Sequence, residues 1–156
     1  MVEQLICSLN LFNMLETKQI GNLTELQCIT AFYELGYKVS LPYGENSRYD
    51  FIADINGKLI RVQVKTCKSS EDGSVISFPC RSSRVNSKGC YQRQYSRDEI
   101  DYFCTYYNHM CYMVPIDECS KEKKLRFSKP KNNQNGRINY AKEYELLSQV
   151  QKIIGK

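Results

Sequence analysis

Apolar and polar residues alternate through "RYDFIADINGKLIRVQVKT", Arg48 to Thr66, on both sides of an Asn-Gly pair. A period of two predicts half-buried strands, and Asn56-Gly57 predicts a two-residue type I′ turn joining them. In that register Ile55 pairs with Lys58, Asp50 lies opposite Gln63, and Arg48 lies opposite Lys65. One face then carries Phe51, Ala53, Ile55, Ile60, Val62 and Val64. The other carries Arg48, Asp50, Asp54, Arg61, Gln63 and Lys65, with Ile52 and Leu59 as apolar exceptions.

Helical periods flank this hairpin. Val2, Leu5, Ile6, Leu9 and Phe12 predict an amphipathic extension within residues 1–16, where Met14 offers an alternative start. "GNLTELQCITAFYELG" predicts a helix capped by Asn22, with Glu25 completing a capping box and Gly36 as a left-handed C-cap. Glu25 also opens the apolar stripe of Cys28, Ile29, Phe32 and Leu35. Short strands are expected at "YKVSLP" and "SVISFP", and a second hairpin turns about Asn108 and His109. "KLRFSK" reads as an edge strand and residues 129–139 as a polar loop. Residues 140–154 close the chain as a helix with Tyr144, Leu147, Val150 and Ile154 on one face.

With 156 residues there is room for one core, so a single domain over 1–156 is expected. The formal net charge of +5 is a mild bias towards polyanions. Its distribution is more pointed. "RSSRVNSKGCYQRQYSR" carries Arg81, Arg84, Lys88, Arg93 and Arg97 with Tyr91 and Tyr95, and no acid. Such a stretch suits phosphate and sugar contacts, and it equally suits a solvated loop. The eight cysteines include no C-x-x-C pair and His109 is the only histidine, which argues against structural zinc. No secretory leader pattern opens the chain and no apolar run reaches membrane-spanning length. Cysteines held as thiols in a reducing, cytoplasmic compartment follow as the expectation.

The polar face of the hairpin is where chemistry can reside. Residues directly opposite across strands have Cβ atoms roughly 4.5–5.5 Å apart, so Asp50, Gln63 and Lys65 form one cluster. A carboxylate with neutral oxygens can hold Mg²⁺, and a neighbouring lysine can orient an attacking water and offset phosphate charge. A solvated sheet face, with Asp50 paired to Arg48 or Lys65 and Asp54 to Arg61, fits the same spacing.

Glu25 in a leading helix, then Asp50, then Gln63-Val64-Lys65 on the next strand resembles the PD-(D/E)XK nuclease superfamily. Residues 17 to 66 are similar to its group I intron-associated homing endonuclease branch, and the likeness continues more loosely to about residue 116. The resemblance implies an α/β fold: a restriction-endonuclease-like core whose mixed β-sheet packs a leading helix, with a C-terminal helix. It implies that Asp50 is the metal-binding acid and Lys65 the catalytic lysine. Glu25 matches a helix acid that some members add to the metal site, and its capping-box role stands beside that reading. Gln63 replaces the usual Asp or Glu, as in the intron-associated branch, and Tyr49 stands where the motif has Pro. The implied cofactor is Mg²⁺, with Mn²⁺ as a substitute, held by Asp50, Gln63, the Val64 backbone carbonyl and, in some members, the acid that Glu25 matches. The implied partner is double-stranded DNA, cut by a homodimer or homotetramer without membrane association. Arg81, Arg84, Lys88, Tyr91, Arg93, Tyr95 and Arg97 then become the residues expected to contact DNA. The alternative is a catalytically weak or inactive nucleic-acid-binding module on the same fold.

Overall fold

A computed structural model describes residues 16–44, 46–130 and 136–155. The extension expected before residue 16 and the middle of the 129–139 loop lie outside the described residues.

The first hairpin forms in the expected register. β2 (Phe51–Ile55) pairs antiparallel with β3 (Lys58–Val64), Ile55 opposite Lys58 and Phe51 opposite Val62. Asn56 and Gly57 have φ of 55° and 87°, and the Gly57 N–H donates to Asp54 Oδ1 at 2.7 Å. This bond uses Asp54 inside the turn, so the expected Asp54–Arg61 pair does not form. Arg61 instead reaches Asp101 at 2.9 Å, because a strand entering beside β3 brings that acid closer.

That strand is β8 (Tyr102–Tyr107), parallel to β3, with β9 (Met110–Pro115) antiparallel beyond it. Asn108 and His109 both have positive φ, so the second hairpin also closes on two residues. With β1 (Lys38–Ser40) on the far edge, the sheet order is β1-β2-β3-β8-β9.

One face of this sheet is covered by two helices. α1 (Thr17–Glu34) contributes Cys28 and Phe32, and α2 (Leu146–Ile154) contributes Leu146, Val150 and Ile153. They meet Phe51, Ala53, Ile55, Ile60, Val62 and Val64, the face that alternation marked as apolar. Cys104 and Cys111 fill the same core as thiols.

Both helices depart from expectation, α1 in where it starts and α2 in phase. α1 begins at Thr17, and the Glu16 N–H donates to Gln19 Oε1 at 2.8 Å. The earlier start places Asn22 and Glu25 inside the helix, where neither has an orphan N–H to cap. Gly36, at φ 82°, ends it in a Schellman motif: Gly36 N–H donates to Tyr33 O and Tyr37 N–H to Phe32 O. The closing segment is split into a 3₁₀ turn (Ala141–Tyr144) and α2, with Glu145 extended between them at ψ 140°. The extended residue resets the helical phase, so a stripe counted from Tyr144 does not continue. Leu147 and Ile154 are 54% and 50% exposed, while Leu146, Gln149, Val150 and Ile153 are buried.

On the other face, β4 (Lys68–Ser69), β5 (Val75–Pro79) and β10 (Glu122–Arg126) form a three-stranded antiparallel sheet in the order β10-β5-β4. Its inner side chains Ile76, Phe78 and Leu125 join Phe103, Tyr112 and Val114 in a second core. The basic stretch is not a loop but a two-stranded hairpin of β6 (Arg81–Asn86) and β7 (Gly89–Gln94), and the β7 residues are exposed.

The reset phase of α2 has a direct consequence. Leu146→Ala should cost about 2–4 kcal/mol of stability, and Leu147→Ala less than about 0.5 kcal/mol, in urea unfolding of the two variants.

Candidate active site

The apolar face of the hairpin is committed to the helices, which turns Asp50, Gln63 and Lys65 to the opposite face. Gln63 pairs in parallel register with Phe103 of the second core, so this cluster shares a face with the three-stranded sheet.

Asp50 lies one residue before the ladder, and its N–H donates to Val62 O at 2.8 Å. Its Oδ2 accepts the Val64 N–H and Gln63 Nε2, both at 2.6 Å. Gln63 is only 8% exposed, and its Nε2 also lies 3.2 Å from Val64 O. A single partly positive nitrogen thus sits between a carboxylate oxygen and a backbone carbonyl. A cation bound by the same two oxygens would occupy that place, with the Gln63 amide turned over to present its own oxygen.

Glu25 enters from α1. It lines a cavity of about 260 Å³ together with Asp50, Tyr49 and Ser47. Burial raises the Glu25 carboxyl above its ordinary value, and the charge of Asp50 raises it further. Burial also raises Asp50, outweighing the Val64 N–H, the Lys65 charge and the Gln63 amide, which pull the other way. A hard divalent cation would relieve the desolvation of both carboxylates and the charge that Asp50 imposes on Glu25. Among the described residues no three His, Cys, Asp or Glu side chains cluster as a metal site. The oxygens that could hold a divalent cation here are those of Asp50, the Gln63 side chain and the Val64 carbonyl, with Glu25 lining the same cavity.

The expected ion pairing of Asp50 with Arg48 or Lys65 does not occur among the described residues. Lys65 Nζ lies 3.2 Å from the Tyr95 hydroxyl, and Arg48 stacks its guanidinium 4.1 Å from the centre of the Tyr95 ring. Glu99 holds Arg48 at 3.0 Å and Arg93 at 2.6 Å. Thr24 and Thr66 hydroxyls meet at 3.2 Å, which ties α1 to the chain just past Lys65.

The structure thus gathers Glu25, Asp50, Gln63 and Lys65 at one end of the hairpin and distributes the basic stretch more widely. Tyr95 leaves the exposed surface and packs edge-on against Phe103 beside Lys65. Arg93 is paired with Glu99, and Arg97 with Asp117. Arg81, Lys88 and Tyr91 lie on the β6–β7 hairpin, as does the backbone of Arg84. Sequence reasoning missed Tyr95 as the partner of Lys65 and Glu99 as the clamp on Arg48, since each partner lies 30 or more residues away in the chain.

Residues 15–147 match the family model described as PD-(D/E)XK endonuclease. The chain belongs to the PD-(D/E)XK endonuclease family. Membership makes it a nuclease hydrolase, and nucleases of this family generally use divalent metal ions. The match runs past the region of likeness read from sequence and takes in β10 and the first residues of α2. A bacterial homing endonuclease, I-Ssp6803I, has the same fold: the TM-score is 0.68 at 22% identity, over 90% of this chain and 99% of that one. No curated protein matches.

Burial of Asp50 sets a pH dependence. The folded carboxyl keeps its proton to a higher pH than the unfolded one, so stability falls as pH rises through that window. A neutral Asn escapes this loss and can still accept the Val64 N–H. In EDTA, Asp50→Asn should raise the Tm by a few degrees at neutral pH, and the difference should vanish below the carboxylate range, measured by thermal melts across pH.

Proposed function

We propose that this chain is a metal-dependent endonuclease that hydrolyses phosphodiester bonds of duplex DNA, site-specifically and in the manner of a homing endonuclease. The observation that carries this reading is the convergence of Asp50, Gln63, Val64 O and Glu25 beside Lys65. Asp50, Glu25, the Gln63 oxygen and the Val64 carbonyl would hold Mg²⁺, or Mn²⁺ in its place. When bound, the ion supplies Lewis-acid polarisation of the phosphate and lowers the pKa of its water.

The remaining work falls to the chain's own groups. Lys65 Nζ, steadied by the Tyr95 hydroxyl at 3.2 Å, orients the attacking water and offsets charge on the phosphate oxygens. Arg48, stacked on Tyr95 and clamped by Glu99, holds that ring in place. The β6–β7 hairpin, with Arg81, Arg84, Lys88, Tyr91, Arg93 and the following Arg97, supplies contacts to the DNA backbone. A homodimer or homotetramer lets two copies cut the two strands of a duplex related by symmetry.

One observation favours a second reading, a nucleic-acid-binding module with a weak metal site: the neutral Gln63 amide fills the place between Asp50 and Val64 O. Incubation of a randomised duplex library with Mg²⁺ or EDTA, followed by sequencing of new ends, separates the two. The nuclease reading expects ends only with Mg²⁺, and a loss of roughly 10²–10⁴-fold in rate for Lys65→Ala with a comparable loss for Asp50→Asn. Cutting by both variants at the wild-type rate would refute it. Retention of DNA without any new ends would favour the binding module.

A further inference from the structure

Burial of Ile76, Phe78 and Leu125 against the main sheet leaves the alternate residues of the three-stranded sheet facing outward. Lys68, Ser77 and Lys124 are register partners across β4, β5 and β10, and so form one row on that outer face. Arg126, opposite Val75, lies two residues further along the same face. Arg137 adds a fourth cation to a concave surface of about 560 Å³, and no acid is among its described lining residues.

These cations differ from Arg93 and Arg97 of the basic stretch in what they already touch. Arg93 and Arg97 are held by Glu99 and Asp117. Among the described residues, Lys68, Arg126 and Arg137 form no salt bridge, and Lys124 has only an exposed pairing with Glu122 at 3.5 Å. In the neighbouring turn, the Asp72 carboxylate accepts bonds from Ser70 and Ser74. An uncompensated positive surface attracts polyanions more strongly than a paired one.

The surface is linked to the candidate active site through a short stretch of chain. Lys68 follows Lys65 by three residues, a reach of at most about 11 Å along the chain. The cluster of Asp50, Gln63 and Lys65 lies on the same face of the main sheet as the three-stranded sheet.

We propose that the outer face of the β4-β5-β10 sheet, through Lys68, Lys124, Arg126 and Arg137, is a second DNA-backbone surface that grips the phosphates flanking the scissile bond. This rests on the duplex-DNA reading above. The Ser77 hydroxyl in the same row offers a neutral donor, and these groups carry no base readout.

The test is binding of a mixed-sequence duplex in EDTA at several salt concentrations. Each phosphate that the protein no longer neutralises should make the fall of log K with log salt shallower by about 0.9. Lys68→Ala with Lys124→Ala and Arg137→Ala, all exposed positions, should therefore make it shallower by about 2–3. Lys68→Arg with Lys124→Arg should keep the wild-type slope. In wild-type protein, duplex should shield Lys68 and Lys124 from acetylation, a readout that does not depend on the variant's folding. An unchanged slope in the triple variant, or full reactivity of both lysines under saturating duplex, overturns the proposal. If wild type cuts DNA while the slope is unchanged, this surface falls and the nuclease reading stands; if wild type binds no duplex, both fall.

Discussion

Asn56 and Gly57 both sit at positive φ, and this turn fixes the pairing of β2 with β3 to a single register. Because strand side chains alternate, that register decides two things at once. It sends Phe51, Ala53, Ile60 and Val62 into the helix-covered core, and it sends Asp50 and Gln63 to the other face at hydrogen-bonding distance. A slip by one residue would bury Asp50 among Cys28 and Phe32 and expose the core residues. Packing of the apolar face therefore maintains the geometry of the polar one.

The parallel pairing of β3 with β8 adds the second half of the molecule. It sets Phe103 beside Gln63, brings Asp101 to Arg61, and gives the three-stranded sheet a surface to pack on. Tyr95 wedges against Phe103 at the junction and meets both Lys65 and Arg48. The candidate catalytic lysine is thus braced by the segment that leaves the basic hairpin, so the hairpin and the site share one support.

Charge is distributed less evenly than composition suggests. Glu99 and Asp117 take up Arg48, Arg93 and Arg97, whereas among the described residues Lys68 and Arg126 on the outer face of the three-stranded sheet form no salt bridge and Lys124 has only its exposed pairing with Glu122. At the centre, burial raises both Asp50 and Glu25, a penalty that the proposed divalent cation would relieve. Neutral Gln63 limits how much negative charge the site itself must carry.

Local pattern was sufficient wherever one residue's neighbours in sequence are also its neighbours in space. Alternation and the Asn-Gly turn specified the first hairpin, its apolar face and the meeting of Asp50 with Gln63, and Gly36 marked the end of α1. The start of α1 was misplaced, because the Asn22–Glu25 pattern marks a local cap in sequence and the Glu16–Gln19 bond that begins the helix is visible only in the structure. The phase of α2 was hidden by the extended Glu145, which no periodicity reveals. The ion pairs of Arg48 and Arg61, the bracing of Lys65 by Tyr95 and the cationic row of Lys68, Ser77 and Lys124 were decided only by tertiary structure. Most join residues 30 or more positions apart in sequence, and the geometry that selects one partner among many charged residues exists only once the sheets have packed.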